Sequence, residues 1–310
     1  MSKIASVIKS LGIITTAAAL LVIAGASPAS ADTATALTSG LPHTCAITSK
    51  AKMLCWAYDR FGEAKVPKTL TTVVSISARN DHTCAAQTNG LVRCWGLNTS
   101  GQTTVPTELP SATAVATGGF HSCSLSSAGA VRCWGRNTAG KTNVPSDLPK
   151  ATAITAGYEF TCALLEGGAV RCWGDNTYNQ LKVPADLGAV VQLDAGYYHV
   201  CARTSLGTAR CWGHGLYGKA SVPADLGQIT WVTAGGQHSC AVTAAGQAVC
   251  WGATTGKMAY GQSIVPVTLG PVMLINAGWQ HTCVIKTTGK VKCWGRDITG
   301  VTKSVPVSIR

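Results

Sequence analysis

GYYHVCARTSLGTARCWGHGLYG, Gly196 to Gly218, brings histidine, cysteine, tryptophan and tyrosine together within 23 residues. Such a density suits a metal site, a catalytic cluster or one copy of a structural module. The rest of the chain decides between them. Cysteines stand at 45, 84, 123, 162, 201 and 240, each 39 residues after the last, and then at 283. Each has a partner ten residues on, at 55, 94, 133, 172, 211, 250 and 293, followed by tryptophan and then by Val-Pro. The longer step before Cys283 reflects four extra residues between Trp251 and Pro266. The stretch is therefore one of seven copies.

Within a copy, short apolar runs alternate with turn signals at strand spacing. ATAVATGG, HSCSLS and AVRCWG (from Ala112 onward) read as three strands, and the following NVP as a short fourth on an outer edge, where proline is tolerated. Repeats near 40 residues built from three or four strands predict a β-propeller with one blade per copy. The fold expected is all-β: a seven-bladed β-propeller with three to four antiparallel strands per blade. ATALTSGLPH (Ala34–His43) aligns without gaps to ATAVATGGFH (Ala112–His121), so the seven copies are expected to occupy 32–310.

Ahead of them, Lys3 and Lys9 precede the apolar run LGIITTAAALLVIAG, and Ala29-Ser30-Ala31 fits a small-x-small cleavage site. Residues 1–31 read as a secretory signal peptide; the apolar core is shorter than the roughly 20 residues of a span. A secreted product with no membrane span after cleavage is expected. It retains 23 basic residues against 13 acids, a charge of +10. The basic residues Arg93, Arg132, Arg171, Arg210 and Lys292 recur with the repeat instead of clustering. That spread argues for solubility and local pairing and against a nucleic-acid partner.

In a hairpin centred on Asn89, Cys84 and Cys94 stand opposite each other on one face, within disulfide reach. Export favours their oxidation. The expected pairs are Cys45–Cys55, Cys84–Cys94, Cys123–Cys133, Cys162–Cys172, Cys201–Cys211, Cys240–Cys250 and Cys283–Cys293. Zinc held by His-x-Cys and the second cysteine is the competing reading. Against it, the fourth copy has Phe160 in the histidine place yet keeps both cysteines. No metal and no cofactor are expected. The histidines (His43, His82, His121, His199, His238, His281) sit one per blade and cannot converge on one substrate. They are expected to hold turns through backbone hydrogen bonds, and the repeat tryptophans to pack between blades. GRNTAGKT, Gly135 to Thr142, spells a phosphate-binding loop, but the flanking strand and helix that loop needs are missing. SKAK, Ser49 to Lys52, lies in a hairpin without companion motifs. No catalytic residues are assigned.

The recurrent G-x-x-H-[ST]-x-x-L followed by V-x-x-W-G-x-N-x-x-G-Q-x-x-V-P resembles the regulator of chromosome condensation repeat. WGLNTSGQTTVPTEL (Trp95–Leu109) and WGDNTYNQLKVPADL (Trp173–Leu187) are similar to blades of the secreted propeller-type β-lactamase inhibitory proteins of actinomycetes. That resemblance implies a seven-bladed propeller that binds a β-lactamase through aromatic-rich turns on one face. The nucleotide-exchange activity of eukaryotic relatives is not expected outside the cell. Unlike those inhibitors, this chain has a cysteine pair in every copy and a basic balance.

In an antiparallel meander, the turn before the second strand and the turn after Trp-Gly share one rim. The second-to-third turns lie on the other rim and carry no aromatic. The first rim collects Phe120, Tyr158, Tyr197, Tyr198 and Trp279 from one turn set, and Tyr58, Phe61, Tyr178, Tyr217 and Tyr260 from the other. Arg60, Arg136 and Arg296 accompany them. Aromatics interspersed with arginine have the composition of a recognition surface. The expected partner is a protein, such as an extracellular or cell-wall enzyme (a β-lactamase or a penicillin-binding protein), with a cell-wall glycan as the alternative. A monomer is expected. GKMAY, Gly256 to Tyr260, lengthens the same rim and should project beside Trp279.

Overall fold

The computed structural model describes residues 32–310; the expected signal peptide lies outside the described residues. Seven three-stranded antiparallel sheets follow one another along the chain, each a simple meander. The blades span 34–57, 73–96, 112–135, 151–174, 190–213, 229–251 and 272–295. In each blade the first strand lines the axis, the middle strand is buried between neighbouring blades, and the third faces outward. The middle strands are buried at nearly every position, as in His121–Ser126 and Phe160–Leu165.

The expected fourth strand does not form. Val-Pro segments lie in turns, with Val105 N–H bonded to Thr103 C=O and Leu109 covering the blade beneath. The missing donor of each proline removes one bond that an edge strand would need.

All fourteen cysteines are paired as expected, each pair directly opposed in the hairpin register with Cα atoms 4.0–4.1 Å apart. None is left to ligate a metal.

Three features repeat at the blade junctions. The backbone N–H of Ala112 donates to Gly90 C=O in the preceding hairpin at 2.9 Å, and Ala34 to Gly289 at 2.9 Å closes the ring in the same way. Each of the seven tryptophans that follow a second cysteine donates its Nε1–H to a turn carbonyl of the preceding blade, as Trp134 to Gln102 at 3.1 Å and Trp56 to Val301 at 3.1 Å. The histidines do not hold backbone turns, as the sequence suggested. Each Nε2 meets the hydroxyl one residue after the equivalent position in the next blade: His43 with Thr83 at 2.8 Å, His121 with Thr161 at 2.9 Å, His281 with Thr44 at 3.0 Å. Thr83 and Thr161 give their own protons to Glu63 C=O and Lys141 C=O. The imidazole is therefore the donor, which fixes its tautomer.

The fourth blade explains its own exception. Phe160 replaces histidine, and the residue awaiting it in blade 5 is Val200, where every other copy has Ser or Thr. Both are fully buried. A polar latch has become an apolar one, with both halves changed together. Phe160→His alone is expected to cost about 2–4 kcal/mol through an unpartnered buried imidazole and lost volume. Val200→Thr added to it should recover part of that loss in the denaturant midpoint. Equal midpoints for wild type and Phe160→His would contradict the latch.

The candidate recognition rim

The turn after Trp-Gly is tied to the turn before the middle strand in six blades. The bonds are Tyr58 N–H to Pro42 C=O, Leu97 to Asp81, Arg136 to Phe120, Asp175 to Glu159, His214 to Tyr198 and Arg296 to Gln280, all between 2.7 and 3.2 Å. Both turn sets therefore share one rim. On its inner side, Gly119 N–H donates to Tyr158 C=O, Tyr158 to Tyr197, and Tyr197 to Gly235, so neighbouring turns form a backbone belt.

Six of the sequence-derived residues form one chain of ring contacts. Phe120 meets Tyr158 at 5.9 Å, Tyr158 meets Tyr198 at 5.7 Å, and Tyr198 meets Tyr178 at 5.2 Å. His214 extends the strip from Tyr178 at 4.2 Å. Beneath it, Tyr197 stacks on Tyr158 at 5.3 Å and leans toward Trp279 at 6.4 Å. Edge-to-face and tilted pairs of this kind hold one another rigid. The three arginines each lie over an aromatic: Arg60 over Phe61, Arg136 over Phe120, and Arg296 over Tyr260 at 4.4 Å. Arg296 also donates to Gln280 Oε1 at 2.6 Å, and Met258 of the insertion touches the same glutamine. The insertion is thus pinned beside Trp279 and leaves Tyr260 exposed.

Other members stand differently. Among the described residues Tyr58 and Tyr217 make no ring contact with another aromatic, and Tyr217 C=O serves a junction by accepting from Ala253 N–H at 3.1 Å. Tyr197 is only 7% exposed, so its ring is a floor under the strip instead of a surface anchor. Its hydroxyl donates to Asn80 Oδ1 at 2.5 Å, and burial raises its pKa. Burial also raises the pKa values of Tyr158 and Tyr198, so these phenols stay neutral at physiological pH.

Sequence reasoning missed Arg79. Six copies have glycine there because a Cβ would collide with the histidine or phenylalanine ring, as at Gly118, only 2.0 Å from His121. Blade 2 has arginine, whose side chain turns into the axial channel. Its Nε donates to Thr117 C=O at 3.3 Å, and its Nη2 bonds Ala195 C=O on the far wall. The guanidinium lies 5.6 Å from the Tyr197 ring, near Asp194, whose carboxyl burial pushes up in pKa. The remaining axial cavity, about 30 Å³, admits only water-sized molecules. The clue in the sequence was a charged residue in the glycine column.

The loop Gly135–Thr142 offers no phosphate cradle. Lys141 is fully buried and bonded to Glu159.

The regulator of chromosome condensation repeat matches the chain at 73–102, 112–141, 151–180, 190–219, 229–262 and 274–298, more than half of its length. The chain belongs to the regulator of chromosome condensation repeat family. No curated protein matches it. Among solved structures, this family member is similar to the receptor kinase CR4 ectodomain of Physcomitrella patens, with 24% identity and a TM-score of 0.72, over 85% of this chain and 73% of that one. The ACR4 ectodomain of Arabidopsis thaliana gives 22% identity and a TM-score of 0.68, over 85% and 98%. Prp20p of Saccharomyces cerevisiae, described with its binding to Gsp1p and histones, gives 17% and 0.69, over 81% and 82%. At these identities the likeness speaks for the fold.

Proposed function

We propose that this propeller is a secreted protein-binding module whose aromatic rim is the contact surface, and that it inhibits an extracellular or cell-wall enzyme of the β-lactamase or penicillin-binding class. The observation that carries the reading is the contiguous strip Phe120–Tyr158–Tyr198–Tyr178, partly exposed, rigid and flanked by stacked Arg136. Large aromatics and arginine supply most hot-spot energy in protein interfaces. Their mutual packing means little side-chain freedom is lost on binding. Seven disulfides suit an oxidising compartment. The enzyme class comes from the resemblance of the blades to secreted β-lactamase inhibitors. The unlike turns of successive blades favour one irregular partner over a glycan that would fill seven equal pockets.

The test is titration of the mature protein, residues 32–310, against a panel of β-lactamases and penicillin-binding proteins, beside pelleting with insoluble peptidoglycan. Binding to a panel enzyme is expected, and Tyr198→Ala should weaken it by about 2 kcal/mol, roughly thirtyfold. Co-sedimentation with peptidoglycan and with no enzyme would overturn the proposal.

A further inference from the structure

The rim opposite the aromatic strip carries a second site. At six of its junctions the hairpin ends in glycine (Gly90, Gly129, Gly168, Gly207, Gly246, Gly289), whose carbonyl accepts the bond from the next blade. At four of them the approach is close, a Cβ lying 2.6 Å from Ser111 at Gly90, 3.0 Å from the next blade at Gly129 and Gly168, and 2.5 Å from Thr33 at Gly289, whereas Gly207 and Gly246 leave 3.6 Å. Blade 1 has Ala51 in this place, at φ 56°. Its methyl group occupies space that four of the six glycine junctions do not leave. Among the described residues no bond joins Ala51 C=O to Val73 N–H, and a groove of about 510 Å³ opens there instead.

The groove is basic. Lys50 and Lys52 from the hairpin face Lys68 from the strap, over Met53, Leu54, Val66 and Leu70, with Thr71 and Thr72 at the edge. No carboxylate lines it. In the straps after blades 3 and 4, Asp147 and Asp186 pair with Arg171 and Arg210 of the next blade. The segment beside the groove has Thr69 where those acids stand, and among the described residues Arg93, the counterpart of Arg171, forms no ion pair. Three lysines and no carboxylate stand at the junction where the glycine bond is missing.

We propose that this groove binds a flexible phosphodiester polymer of the cell envelope, independently of the aromatic rim. Lysine presents a compact point charge on a mobile stem, which can follow the successive phosphates of a flexible polyanion, and no carboxylate in the groove opposes them. Threonine hydroxyls supply neutral donors between the charges.

The probe is a defined poly(glycerol phosphate) chain, with polyglutamate of equal charge as comparison, titrated against the mature protein in increasing salt. Wild type should bind poly(glycerol phosphate) in preference to polyglutamate. Lys50→Gln/Lys52→Gln/Lys68→Gln should weaken binding about tenfold or more and flatten its salt dependence. Removing three cations elsewhere, Arg132→Gln/Lys182→Gln/Lys292→Gln, should change it less than about twofold. Tyr198→Ala should leave it unchanged, which separates this site from the rim. Equal loss in both triple variants, preference for polyglutamate, or no binding by wild type would each overturn the proposal.

Discussion

Conformational stability should be level above pH 7 and fall steeply from about pH 6.5 toward pH 4. The six latch histidines are the cause. Burial lowers His43 and His238 to about 3 and His82 and His281 to about 4, and it holds His121 and His199 well below 6.5. In each latch Nε2 is already a donor. The Nδ1 atoms of His43, His82, His121, His199 and His238 are buried without an acceptor, so a second proton would have no partner. The unfolded chain takes up those protons near pH 6.5, whereas folded His43, His82, His238 and His281 refuse them until about pH 3–4, and His121 and His199 until well below 6.5. The stabilising difference is thus complete above the unfolded pKa and shrinks as pH falls. Each histidine contributes a slope of about 1.4 kcal/mol per pH unit across that window. Buried Asp194 and Glu63, whose pKa values burial raises, act in the opposite sense and offset part of it. Denaturant midpoints between pH 8 and pH 4 check this. His121→Phe/Thr161→Val copies the apolar latch of Phe160 and Val200, so it should remove one histidine's share of the slope. A flat profile down to pH 4 would contradict the buried neutral imidazoles.

Reduction should be equally damaging. Each disulfide closes a loop of ten residues, worth about 3 kcal/mol on the chain-entropy account and less where the hairpin persists in the unfolded state. The first cysteine of every pair is fully buried between blades. Its loss would therefore also loosen packing against the neighbouring sheet. Cys201→Ser/Cys211→Ser should lower stability by about 2–3 kcal/mol. Full reduction should abolish the fold at 37 °C, while chelators leave it unchanged. A reduced chain with its original midpoint would show that the staples are redundant.

The scaffold was legible because its determinants are periodic. The 39-residue step, the opposed cysteines and the Trp-Gly ends all lie within one copy, where local spacing dictates geometry. What escaped the sequence depends on contacts between copies. His121 reaches a hydroxyl 40 residues away, in the next blade, so a turn-holding role was the natural local reading. Tyr197 and Tyr198 are indistinguishable as neighbours in a turn. In the structure the Asn80 amide across the axis draws one inward, and the other stays at the surface. Arg79 and Ala51 were visible as departures from glycine columns. Their consequences, a plugged axis and an open groove, required the ring.

Recognition through the aromatic strip can be tested most directly by comparing the two rims in one assay. Calorimetric titration of the panel enzyme that binds should be repeated with Tyr178→Ala/Tyr198→Ala on one rim and Leu91→Ala/Leu206→Ala, both exposed, on the other. The first pair should lose most of the affinity and the second should bind as wild type does. Unchanged binding by Tyr178→Ala/Tyr198→Ala, with loss in Leu91→Ala/Leu206→Ala, would place recognition on the plain rim and contradict this assignment.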